Sequence, residues 1–78
     1  NTTIRFDLPH AARVDLDIFD VAGRRVRTLL RGTRMEAGQR EVIWLGRNDA
    51  GRKVSAGVYF YRLRAGGFCE TKRATLVK

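Results

Sequence analysis

The sequence predicts an all-β fold, a sandwich or small barrel, on three observations. Apolar residues recur with a period of two in several short runs, turn-forming residues break those runs at spacings of about 8 to 12 residues, and no segment sustains a 3.6-residue period. With 78 residues the chain holds one core and no second domain, since a fold of this size buries only about 60% of its unfolded surface.

The first run sets Ile4, Phe6 and Leu8 against Thr3, Arg5 and Asp7, so one face of a strand is apolar and the other polar. Pro9 ends it, because proline has no N–H for a ladder. The second run is the clearest: Val14, Leu16 and Ile18 face inward while Arg13, Asp15 and Asp17 face outward, the pattern of a half-buried antiparallel strand. Asp20-Val21-Ala22-Gly23-Arg24 then reads as a turn, with the Asp side chain bonding forward to the backbone and Gly supplying a positive φ. Asn48-Asp49-Ala50-Gly51-Arg52 is a related string, too short to mark an internal repeat. Between them lie a strand from Val26 to Leu30, a polar connection holding Gly32 and Gly38, and a strand from Gln39 to about Leu45. Val42 and Trp44 share a face of that last strand, and Trp44 is assigned to the core. Asn48 and Asp49 lack the spaced acids of a dedicated calcium loop.

Gly57 precedes the segment richest in strand formers, Val58 to Ala65. Tyr59, Tyr61 and Leu63 face inward, which turns Val58, Phe60, Arg62 and Arg64 outward. An outward Phe60 between Val58 and Arg62 marks these three residues as a candidate contact surface. Gly66-Gly67 supplies a tight hairpin turn, and the chain closes on a strand from Phe68 to Val77 with Ala74 and Leu76 in the core. The register before Ala74 leaves room for a bulge.

The chemistry of an active site is missing. The only histidine, His10, stands beside Pro9 in a loop with no nucleophile or orienting acid in pattern. There is no Cys/His cluster for zinc and no glycine loop opening a helix for phosphate. The chain is therefore read as a non-enzyme without cofactors or metal. No apolar run approaches the roughly 20 residues of a membrane helix, so no membrane insertion is expected. The lone Cys69 makes no internal disulfide and is read as a buried thiol. Of sixteen basic residues thirteen are Arg, and the net charge is +8, a field that attracts acidic partners. The arginines are scattered through alternating patterns, so they are read as a solvated strand face and not as a nucleic-acid surface.

Taken in order, Thr3-x-Arg5-Phe6-x-Leu8-Pro9, Val14-x-Leu16-x-Ile18-Phe19-Asp20-x-x-Gly23-Arg24-x-Val26-Arg27-x-Leu29, Trp44-x-Gly46, Asp49-x-Gly51, Val54 and Gly57-Val58-Tyr59-x-Tyr61-x-Leu63 resemble a known family. It is the immunoglobulin-like domain of the flagellar hook-capping protein, together with the similar C-terminal sorting domains of type IX secretion cargo. The resemblance implies an immunoglobulin-like antiparallel β-sandwich of about seven short strands. It implies a non-catalytic C-terminal sorting or anchoring module of a secreted or cell-surface bacterial protein. The alternative is a structural or assembly module that packs on neighbouring domains or subunits of an extracellular complex or filament. Its partners would be parent-chain domains, the secretion machinery or an assembly partner. Under the sorting reading, Gly57, Tyr59, Lys72, Arg73 and the terminal Lys78 correspond to the recognised end. Leu45 stands where the family commonly carries an acid. Residues 1–78 are expected to be one such domain cut from a longer chain, since the sequence opens on Asn1 and enters a strand almost at once.

The scattered charge generates one test. Binding of this chain to nucleic acids should weaken steeply with added salt and show no sequence preference, as measured by titration at several ionic strengths. Sequence-selective binding that survives high salt would contradict the solvated-face reading.

Overall fold

The structure is a computed structural model that describes residues 1–77. Among the described residues six strands follow one another: β1 (Thr2–Leu8), β2 (Ala12–Phe19), β3 (Arg25–Met35), β4 (Gly38–Trp44), β5 (Gly57–Ala65) and β6 (Phe68–Leu76). β1 pairs with β4 in a two-stranded sheet, and the others form a four-stranded sheet in the order β3-β2-β5-β6. All pairings are antiparallel. The expected all-β sandwich is present, with six strands where about seven were implied.

The alternating runs become the core. Ile4, Phe6 and Leu8 from β1 meet Val14, Leu16 and Ile18 from β2 and Tyr59, Tyr61 and Leu63 from β5 in one cluster, closed by Trp44, Ala74 and Leu76. Trp44 is 1% exposed. Its indole meets the Tyr59 ring edge-on, with centroids 5.0 Å apart and planes at 74°, an arrangement the ring quadrupoles favour. Burial of the indole N–H would be costly without a partner, and Trp44 Nε1 donates to the Arg47 carbonyl at 2.9 Å. The chain reaches that position through Gly46, whose φ of +72° makes the turn after β4. A Cβ there would stand 3.1 Å from the Leu76 side chain, so the turn is also a close approach. The spacing Trp-x-Gly is thus a self-capping device: the glycine returns the backbone under the indole it follows.

Two readings of connections are corrected. The segment holding Gly32 is not a loop, since β3 continues through it to Met35. Leu16 pairs with Leu30 but Val14 pairs with Thr33, so β3 carries an extra residue there as a bulge. Gly32 adopts a φ of +56°, and its N–H donates to Asp15 Oδ1 at 2.7 Å. The glycine that looked like a strand terminator is held in the strand by an acid from its neighbour. In β6 the reverse holds: pairing with β5 runs unbroken from Gly57↔Leu76 to Ala65↔Phe68, with no bulge before Ala74. The inward positions Glu70 and Lys72 are simply polar, and Lys72 Nζ lies 3.3 Å from Glu70 Oε1. This edge of the larger sheet extends beyond what the two-stranded sheet covers.

Replacing Trp44 with Ala should cost about 3–5 kcal/mol, the range for deleting a large buried aromatic. Chemical denaturation of the two proteins measures it. A loss below about 1 kcal/mol, the surface-substitution range, would show that the indole does not organise the core.

Candidate contact surfaces

The outer face of the four-stranded sheet is built as a ladder. Register places Asp15 opposite Arg64, Asp17 opposite Arg62 and Phe19 opposite Phe60. Each acid divides its two oxygens. Asp15 Oδ1 takes the Gly32 N–H while Oδ2 lies 3.7 Å from Arg64 Nη2. Asp17 Oδ1 accepts from Thr28 Oγ1 at 3.0 Å while Oδ2 lies 3.8 Å from Arg62 Nη2. These acids thus pair with arginines across β2 and β5. The acids also hold β3, which the sequence reading did not foresee. Asp17 is only 5% exposed, and these partners satisfy the oxygens that burial takes out of water. The Arg62 guanidinium continues over the Phe19 ring, 4.9 Å from its centroid, a cation–π contact.

Of the candidate contact residues, Val58 is 41% exposed, Phe60 is half-buried and Arg62 is laid down over Phe19. They form one face. Arg73 joins it, because β6 places Arg73 directly opposite Phe60. Lys72 does not: it pairs with Tyr61 and leaves on the opposite side of the strand. Tyr59 is buried, and its hydroxyl donates to the Ser55 carbonyl at 2.7 Å. Gly57 opens β5 with a φ of +145°. Lys78 lies outside the described residues. The four described residues implied for recognition, Gly57, Tyr59, Lys72 and Arg73, are therefore divided among a strand entry, the core and two faces.

The assignment of Cys69 to the interior is corrected, since it is exposed. It stands opposite Arg64, and that parity on an edge strand points to solvent. His10 is exposed beside a depression of about 360 Å³ lined by Leu8, Pro9, Ala65 and Phe68. Among the described residues no group of three His, Cys, Asp or Glu side chains is placed to hold a metal ion.

The two related strings fold alike. Asp20 Oδ1 accepts from the N–H groups of Ala22 and Arg24, both at 2.9 Å. Asn48 Oδ1 accepts from those of Ala50 and Arg52, both at 3.0 Å. Each loop also joins its first N–H to the carbonyl of its last residue and returns a bond from the glycine N–H, with Gly23 at +84° and Gly51 at +81°. The first loop joins β2 to β3. The second docks on the edge of β3, where the Asp49 N–H donates to the Val26 carbonyl and the Thr28 N–H donates to Asp49 Oδ1, both at 2.9 Å. The shared string was visible in the sequence, whereas the docking depends on Asp49 meeting a distant strand.

A family model described as the FlgD Ig-like domain matches residues 1–67. The crystal structure of FlgD from P. aeruginosa superposes with a TM-score of 0.76 at 20% sequence identity, over 96% of this chain and 58% of that one. At that identity the likeness is one of fold, and the chain spans little more than half the length of the solved protein. No curated protein matches. The match ends in the Gly66–Gly67 turn, so Lys72, Arg73 and Lys78 lie beyond it. The expected secreted or cell-surface location is corrected by these findings: both point to FlgD and neither to a type IX sorting domain.

The capping side chain is titratable in the first loop, Asp20, and not in the second, Asn48, and a test follows. The Arg24 N–H, above all, holds the Asp20 carboxyl below the usual carboxylate range, with the Ala22 N–H and the Arg24 charge acting in the same direction and desolvation opposing them. A depressed folded-state pKa gives stabilisation that is complete above the ordinary carboxylate value and is lost as pH falls through the folded-state value. Between about pH 5 and pH 2, the amide NMR shifts of Ala22 and Arg24 should move, while that of Arg52, capped by the Asn48 amide oxygen, should move much less. Asp20→Asn should abolish the difference. Equal movement of both loops would refute the assignment.

Proposed function

The chain belongs to the FlgD Ig-like domain family, and from that membership we propose that it is a non-catalytic structural module that packs on neighbouring domains or subunits of a flagellar-type assembly. The observation that carries this reading is the family match across β1 to β5, the strands that supply most of the core and both sides of the outer-face ladder. The docking face in this reading is the outer side of the four-stranded sheet at Val58, Phe60 and Arg62.

Three physical features support that face. Val58 and Phe60 present apolar area that water leaves on contact, at about 25 cal/mol per Å². Arg62 is fixed by the Phe19 ring and Asp17, so a partner meets an ordered surface and spends little in ordering it. Arg73, opposite Phe60, adds a charged margin of the kind that rims protein interfaces.

Val58→Thr with Phe60→Thr keeps β-branched or strand-compatible side chains and removes the apolar patch. This double variant should keep its thermal stability within about 1 kcal/mol but lose co-sedimentation with purified hook assemblies. A variant at the exposed Thr3, Thr3→Ser, should retain it. A Val58/Phe60 variant that folds and co-sediments as well as the parent would overturn the proposed face.

A further inference from the structure

A second surface lies at a seam between the end of β4 and β3, where Ile43 to Arg47 and Arg27 to Leu29 line one depression. Ile43 is 53% exposed and Leu45 61% exposed. Together with Leu29 they line a depression of about 180 Å³ flanked by Arg27 and Arg47. Neighbouring exposed aliphatic side chains rimmed by charged groups are the kind of surface that marks an interaction site.

The two arginines are set in place without being neutralised. Arg47 Nη1 donates to the Gly51 carbonyl at 2.9 Å, and Arg27 Nη1 donates to the Asn48 carbonyl at 3.4 Å. A carbonyl carries no charge, and a guanidinium has five N–H donors, so each keeps its full charge and further donors. Among the described residues neither faces a carboxylate within ion-pair distance. The acid closest in the chain, Asp49, has committed Oδ1 to the Thr28 N–H. Glu41, two residues before Ile43 in β4, is paired with Arg5, so these acids are engaged elsewhere and the two arginines are left over.

We propose that this seam is a docking site for an acidic peptide segment of a partner protein, one that carries aliphatic side chains among its carboxylates. Its aliphatic groups cover Ile43 and Leu45, and its carboxylates meet Arg27 and Arg47 in charge-assisted hydrogen bonds. The chemistry on both sides of the seam selects this partner. Nucleic acid would use the charge but not the aliphatic pair, and the nearest aromatic, Trp44, is buried and offers no stacking face. A second copy would supply aliphatics but would bring another chain of net charge +8 against the same arginines. This site is separate from the Val58–Phe60 face and does not depend on it.

The test uses the 78-residue chain and a short synthetic peptide of Glu and Leu in equal number. Comparators are a Glu and Ser peptide of the same length and charge, a Lys and Leu peptide, and a single-stranded oligonucleotide of equal charge. The Glu and Leu peptide should bind and shift the methyl NMR signals of Ile43 and Leu45. Its affinity should fall about tenfold or more in Ile43→Thr/Leu45→Ser, a loss of roughly 1.4 kcal/mol. Leu45→Ser alone should give a smaller fall in the same direction, and a Val21→Ser control at the exposed turn between β2 and β3 should bind like the parent. Unchanged binding in both seam variants would overturn the proposal. So would equal affinity for the Glu and Ser peptide or the oligonucleotide, which would reduce the site to a charge field. Preferred binding of the Lys and Leu peptide, or dimerisation of the chain through the seam in sedimentation, would do the same.

Discussion

The sandwich depends on the seating of one indole. Trp44 is the last residue of β4, in the smaller sheet, and it reaches across to Tyr59 in the larger one. A side chain of that size buries up to about 250 Å², a large share of what a core this small can hold. It is admitted only because its N–H finds the Arg47 carbonyl, and that carbonyl is in position only because Gly46 turns the chain with a positive φ against Leu76. Tyr59 meets the same requirement through Ser55. The segment between β4 and β5 thus supplies the acceptors for two of the three large polar aromatics of the core, Trp44 and Tyr59.

The second constraint is the uneven coverage of the two sheets. Two strands lie over four, and the uncovered margins carry polar side chains or borrowed cover. On the β6 margin, Glu70 and Lys72 occupy inward positions. Charged residues at such positions also discourage pairing with another strand. On the β3 margin the Asn48–Arg52 loop folds back and satisfies backbone groups of Val26 and Thr28 through Asp49. β3 itself has three register shifts against β2. Its irregular backbone is anchored by Asp15 at Gly32 and by Asp17 at Thr28.

That use of acids shapes the electrostatics. Asp15, Asp17, Asp20 and Asp49 all accept from groups that hold a strand or turn in place. Exposed ion pairs contribute little stability on their own, commonly 0–1 kcal/mol, and the more consequential role of these acids is to satisfy donors. With the acids placed for structure, the arginine excess remains as surface charge. It is sorted by position: Arg62 and Arg64 are drawn into the ladder on the outer sheet face, while Arg27 and Arg47 rest on uncharged carbonyls at the seam.

Much of the fold was legible because a strand's side-chain period is local. The inward parity of β1, β2 and β5 follows from alternation at Ile4–Leu8, Val14–Ile18 and Tyr59–Leu63, and the two turns follow from Asp or Asn followed by Gly, chemistry contained within five residues. The outward placement of Val58, Phe60 and Arg62 was readable for the same reason. What alternation assigns is a side, and what covers that side depends on residues far along the chain. The passage of β3 through Gly32 required Asp15 from β2, and the exposure of Cys69 required β6 to be an edge. The seam of Leu29, Ile43 and Leu45 required β3 and β4 to become neighbours across the two sheets. Local periodicity determined which face each residue shows, and only tertiary packing decided which faces are shielded from water and which donors and acceptors meet.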